Sequence, residues 1–155
     1  MNSYITSIKF FIFKNYTVIP ATLDQQVNES WDFHVVGKKN LFIEVKTDYA
    51  AAKTGNIFLE TEVDNKPGFL RKILTESKII FAFVFPQDKE INFVDAVRLL
   101  DVDTEKLQFR RFKHKSNNYL AGGYLLPKED FYSLVFKRYC WGVVENNKKV
   151  FHKCS

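Results

Sequence analysis

Cysteine, proline and glycine are all scarce here, at 2, 4 and 6 of 155 residues. With so little glycine and proline, and no repeat or low-complexity tract, collagen-like, solenoid and linker-dominated chains are excluded. The two cysteines, Cys140 and Cys154, have no metal-ligand spacing and are too few for a disulfide scaffold. They argue against a disulfide scaffold and fit a reducing cytosol better. No apolar run is long enough to span a bilayer. Lys9 and Lys14 interrupt the apolar N-terminal stretch and no small-residue cleavage site follows, which argues against a signal peptide. No phosphate-cradling glycine loop occurs, Gly122-Gly123 reads as a turn, and His114 and His152 lack paired ligand spacing. Nothing in the pattern supports Ser/His/Asp or Cys/His catalysis.

What the chain does have is a globular composition, 46% hydrophobic, at a length that predicts a single domain with a substantial core. Its 16 phenylalanines are dispersed and alternate with polar residues, which reads as core filling. A net charge of +5 permits contact with phosphate without requiring it.

Ile5, Ile8 and Ile12, with Phe11 beside them, recur at helical spacing and predict an amphipathic helix over about 2–14. Residues 15–30 are ambiguous apart from a short extended piece at 17–19 before Pro20. Residues 31–36 and 41–46 read as two strands of a hairpin around the turn 37–40. A loop or short helical turn at 48–54 leads to a strand over 56–63. A helix is expected from Pro67-Gly68 to about 76, and a buried strand over 78–85, ended by Pro86. Beyond it, 93–100 is strand or helix, 108–115 is basic, and 128–139 is expected to be a helix. The core is then 2–85, in the order helix, three strands, helix, strand, with 86–155 as an extension.

Chemistry concentrates on the hairpin. Glu44 and Lys46 are two apart on one strand and project to the same side. Asp32 stands at the head of the preceding strand. An odd loop, such as 37–39, pairs Asp32 with Glu44, whereas an even loop turns it away, because one slip reverses every face. Two carboxylates this close repel unless a cation separates them. Mg2+ favours carboxylate oxygens together with retained water, and the Val45 carbonyl offers another oxygen. Such a metal polarises a phosphoryl group and activates water, while Lys46 orients that water or stabilises developing charge. The plain alternative is a surface hairpin carrying an ordinary Glu-Lys pair. His34 shares a face with Asp32, but a lone histidine is usually structural.

Asp32 with Glu44-Val45-Lys46, in that order of elements, resembles the PD-(D/E)XK nuclease superfamily over about residues 2–85. The stretch from Lys46 to Glu60 also looks like small phage and mobile-element nucleases of this kind. The resemblance implies an αβββαβ restriction-endonuclease-like core with a mixed central sheet. It implies Asp32 and Glu44 as ligands of Mg2+, or of Mn2+ in its place, and Lys46 as the assisting cation. Trp31 stands where a proline often precedes the aspartate. Residues 1–23 hold no acid, although many members carry a glutamate on the first helix, so a further ligand would come from Asp24, Glu29 or Glu60, or be missing.

Lys53, Thr54 and Asn56 surround a glycine that lets backbone amides approach phosphate, and otherwise form a polar turn. Thr75, Ser77 and Lys78 end the second core helix. Arg110, Arg111, Lys113, His114 and Lys115 are the densest basic cluster, suited to nonspecific phosphate contact. The expectation is a Mg2+-dependent DNA endonuclease, symmetric as a homodimer or larger assembly so as to cut two strands. A nucleic-acid-binding module that keeps the nuclease fold but does not cut is the alternative.

Overall fold

The computed structural model describes residues 2–73, 77–113 and 118–154. The chain is mixed α/β and forms two compact units, each drawing on separated segments: 1–49, 78–95 and 135–155 in the first, 50–77 and 96–134 in the second. In chain order the elements begin with α1 (Ser3–Phe13), β1 (Thr17–Pro20), α2 (Leu23–Asn28), β2 (Phe33–Val36) and β3 (Leu41–Thr47). The second unit follows with α3 (Ala51–Thr54), β4 (Asn56–Val63), β5 (Lys66–Pro67) and α4 (Phe69–Lys72). The first unit resumes with β6 (Ile79–Phe85) and β7 (Glu90–Asp95). Two 3-10 turns lead into β8 (Gln108–Lys113), β9 (Leu120–Pro127) and α5 (Lys128–Tyr132) of the second unit. The chain ends in the first unit with β10 (Lys137–Val144) and β11 (Lys148–Lys153). Among the described residues no helix is long and apolar enough to cross a membrane.

The first unit is a seven-stranded mixed sheet in the order β1-β2-β3-β6-β7-β10-β11. β3 and β6 run parallel, and every other neighbour is antiparallel. α1 covers one face. Phe10 and Phe11 pack there with Phe33, Ile43, Ala82, Phe93 and Trp141. The predicted helix is present, but its isoleucine stripe is not the buried one: Ile5 and Ile12 are exposed, whereas Ser3, Thr6, Ser7, Phe10 and Phe11 are buried. Small residues let the helix lie close to the sheet. Two of their hydroxyls bond within the helix, Thr6 to the Asn2 carbonyl and Ser7 to the Ser3 carbonyl.

Several expectations are corrected. The third strand of the expected core, 56–63, is β4, and it belongs to the second unit's sheet, ordered β5-β4-β9-β8. The strand beside β2 is instead β1, where Pro20 sits on a sheet edge that needs no N–H from it. Gly122-Gly123 is not a turn but the middle of β9, and on neither side is there room for a Cβ. The Glu62–Arg111 ion pair crosses Gly122, and the Phe58 ring, 4.7 Å from Phe112, lies against Gly123. The expected helix 128–139 stops at Tyr132, because Tyr139 and Trp141 alternate inward as strand residues of β10. The helix from Pro67 is reduced to α4, and residues 74–76 lie outside the described residues.

The two cysteines, read as arguing against a disulfide scaffold, form one disulfide. The hairpin of β10 and β11 sets Cys140 opposite His152, two residues from Cys154, and a disulfide joins Cys140 to Cys154 with Cα atoms 5.1 Å apart. The sequence separation of 14 concealed a hairpin neighbour.

Candidate functional site

The hairpin has the odd loop. Phe33 pairs with Ile43, His34 with Phe42 and Val35 with Leu41, a register that sets residue 32 against 44. The head of β2 then departs from regular pairing. The Asp32 N–H donates to the Ile43 carbonyl at 2.7 Å, so residues 32 and 33 both answer to Ile43. Two residues against one is the pattern of a β-bulge, which re-aims a side chain. The next amide of β3, Val45 N–H, finds no backbone partner on β2 and donates to Asp32 Oδ2 at 2.7 Å. The Asp32 carboxylate thus completes a rung of the ladder.

The bulge decides which way Asp32 faces. It lines an open groove with Asn2, Ser3 and Tyr4 of α1, Gln26 of α2, and Val45, Thr47 and Tyr49. Glu44 and Lys46 alternate with Val45 and Thr47, so they project from the sheet's other face. There Lys46 Nζ lies 3.2 Å from Glu44 Oε1 and 5.9 Å from the centre of the Phe81 ring. Asp32 and the Glu44–Lys46 pair therefore flank Val45 from opposite sides of one strand. Burial raises the Asp32 pKa above its ordinary value, opposed by the Val45 N–H and by the charge of Lys46. Asp32 in turn raises the Tyr4 hydroxyl, adding to the effect of burial.

Asp32, Glu44 and the Val45 carbonyl all offer hard oxygen, the kind Mg2+ or Mn2+ takes together with water, but the two carboxylates stand on opposite sides of β3. A half-buried carboxylate whose charge is disfavoured where it stands is one that a divalent cation would relieve. Among the described residues no three His, Cys, Asp or Glu side chains converge, so a third acidic ligand is lacking. Asp24 accepts from the Asn28 side chain at 2.6 Å and Glu29 from the Trp31 indole at 2.8 Å, while Glu60 belongs to the second unit. His34 stacks on Phe42, with ring centres 4.9 Å apart.

The expected nucleic-acid contacts divide between the units. Lys78 is exposed just ahead of β6 in the first unit. Lys53, Thr54, Asn56, Arg110 and Arg111 lie in the second. Thr54 and Asn56 are occupied locally: the Thr54 hydroxyl accepts the Asn56 N–H at 3.2 Å, and the Asn56 side chain donates to the Thr54 carbonyl at 3.2 Å. Together they close α3 around Gly55, whose φ of 72° is the left-handed helix stop that glycine favours. Arg110 and Arg111 are exposed on the edge strand β8, with Arg111 held by Glu62 and stacked 4.9 Å from the centre of the Phe109 ring. Thr75, His114 and Lys115 lie outside the described residues.

Sequence reasoning missed the groove's other walls, Tyr4, Gln26, Thr47 and Tyr49. Only Thr47 carried a signal, being two residues beyond Val45 on the same strand. No family model matches the chain, and no curated protein and no solved structure matches it either.

Proposed function

We propose that this protein is a metal-dependent endonuclease that hydrolyses DNA phosphodiester bonds. The observation that carries the reading is the 3.2 Å Glu44–Lys46 pair on β3 with Asp32 anchored to the amide between them. The order α1, β1, β2, β3 and then a parallel β6 supports it, since a helix, three antiparallel strands and a returning parallel strand are what the resemblance implies, with β1 in the role expected of 56–63 and α2 inserted after it.

Asp32, Glu44 and the Val45 carbonyl are the groups that would hold the cation. Bound there, Mg2+ would polarise the phosphate and lower the pKa of an attacking water. Asp32 is kept in place by the Val45 N–H, so its orientation does not depend on substrate. Lys46 pairs with Glu44 at 3.2 Å and is the cation that would hydrogen-bond the attacking water or the phosphoryl oxygens. A chain of this size would cut both strands of a duplex as a symmetric homodimer.

A second reading, a nucleic-acid-binding module that does not cut, draws on the missing third acid and on Asp32 facing away from Glu44. Supercoiled, linear and branched DNA incubated with Mg2+, Mn2+ or chelator separates the two. Metal-dependent cutting lost in Glu44→Ala and in Lys46→Ala is expected. DNA binding in Ca2+ with no cutting in Mg2+ or Mn2+ would establish the second reading, and cutting unaffected by either substitution would move the site elsewhere.

A further inference from the structure

At the opposite end of α1 from the Asp32 groove, the first unit holds a separate cavity of about 130 Å3. Its floor is apolar and buried, with Phe10, Ile43, Ile80 and Phe93 each no more than 8% exposed. Its mouth is built differently. Lys14, Tyr16, Phe136 and Lys137 line it and are all exposed. Phe10 and Tyr139 meet at 4.6 Å, Phe10 and Phe93 at 5.2 Å, and Phe136 lies 6.4 Å from Phe93, so the walls are largely ring faces and edges.

Size and polarity select the occupant. An apolar cavity of roughly 150 Å3 holds one benzene ring, and a floor without two to four polar partners does not retain water. An aromatic-walled cavity can also hold a cation against its rings. Here that position is taken: Lys14 Nζ stands 5.4 Å from the centre of the Tyr139 ring, and Lys137 adds a second positive charge. Neither lysine forms an ion pair among the described residues. The carbonyl end of α1 contributes roughly half a negative charge, which two ammonium groups outweigh.

We propose that this cavity binds a small aromatic carboxylate, with the ring on the phenylalanine floor and the carboxylate against Lys14 and Lys137. Along α1 the two linings are about 9 Å apart, from Tyr4 to Phe10, and they share no residue. The site therefore stands whether or not the chain cuts DNA.

The test is calorimetric titration and thermal unfolding of the full chain with three probes of one size: benzoate, toluene and benzylamine. Benzoate is expected to bind saturably and raise Tm, toluene to bind more weakly and benzylamine not at all. Lys14→Glu combined with Lys137→Glu, both on exposed side chains, should weaken benzoate about tenfold or more and leave toluene unchanged. Leu41→Trp, which fills the cavity from a half-buried wall, should abolish both. The proposal is overturned if no probe binds, if toluene or benzylamine matches benzoate, or if the double lysine variant binds benzoate as well as the parent does.

Discussion

Asp32 offers a way to separate a structural role from a chemical one at a single atom. Its Oδ2 is the acceptor for the Val45 N–H at 2.7 Å. Asp32→Ala removes that acceptor and leaves a partly buried amide without a partner, which costs about 1–3 kcal/mol. The open groove admits water to the vacated position, so the lower end, about 1 kcal/mol, is expected. Asp32→Asn keeps a carbonyl oxygen at the same place and loses only the charge assistance. It also removes a carboxylate whose charge is disfavoured mainly by burial. With the folded pKa raised, the native state binds the proton more tightly than the unfolded chain. The carboxyl's contribution to stability is therefore fully present in acid and is lost as pH rises from about 4 through the raised folded value. Asp32→Asn should accordingly gain on the parent across that window and match or exceed it at neutral pH, while Asp32→Ala stays below. Both should abolish metal-dependent cutting, since a neutral amide is a poor ligand for Mg2+. Urea unfolding of the three proteins at several pH values, beside the cleavage assay, reads every part of this. If Asp32→Asn costs as much as Asp32→Ala at neutral pH, the negative charge itself holds the fold and the reasoning is refuted.

Three further outcomes follow from the packing. At Gly123 an added Cβ would sit 2.3 Å from the Leu59 carbonyl oxygen and 2.9 Å from the Glu60 Cα, so Gly123→Ala should cost about 1–3 kcal/mol in urea unfolding. At Gly122 the nearest obstacle is the mobile Glu62 carboxylate, and Gly122→Ala should cost less than about 1 kcal/mol, by disturbing the partly exposed Glu62–Arg111 pair. Equal costs at the two positions would contradict the assigned register of β9. Reducing Cys140–Cys154, or replacing both with serine, should destabilise the first unit by about 3 kcal/mol, the scale for a loop of this length, and differential scanning calorimetry with and without reductant reads it. Arg138→Ala removes the guanidinium from the Glu90 carboxylate, 7% exposed, which keeps the Asn92 side chain as a donor, and should cost about 1–3 kcal/mol, much of it restored by adding Glu90→Gln.

Where periodicity was strong, the sequence was legible. The helix 2–14 and the strands 31–36, 41–46, 56–63 and 78–85 all appear within a residue or two, whereas the sequence left the parity of the hairpin loop open and the pairing makes it odd. What could not be read was which strands share a sheet. Alternation in 56–63 is the same whether the partner is β2 or β9, and only the long-range pairing with 120–127 distinguishes them. Gly122-Gly123 misled for a related reason: glycine serves a turn or a close crossing equally, and the crossing is made by side chains 49 and 54 residues apart in sequence, Glu62 with Arg111 and Phe58 with Phe112. The isoleucine stripe of α1 misled because hydrophobicity alone ranks Ile above Ser, while close approach to a sheet favours the smaller residue. At the site, the spacing of Glu44 and Lys46 was sufficient to pair them. The bulge at Asp32 left no trace in composition, since it is a property of the backbone where β2 ends.

That bulge is the point at which fold and proposed function meet. β3 is shared between two tasks by its alternation: Ile43 and Val45 face α1 and the core, and Glu44 and Lys46 face the other way. A regular ladder through residue 32 would place Asp32 on the Glu44 side, with no bond to the Val45 amide and with two carboxylates in mutual repulsion when no cation is present. The bulge instead sets Asp32 on the amide and leaves Glu44 to Lys46, so each acid has a partner in the metal-free protein. Recruitment of both acids by one cation then requires Asp32 or Glu44 to exchange its present partner for the metal. Cutting should therefore need a higher Mg2+ concentration in Asp32→Glu, whose longer side chain cannot keep the Val45 contact and the ligand position together, than in the parent. A titration of cleavage rate against Mg2+ that gave the same midpoint for both proteins would show that the bulge carries no part of the chemistry.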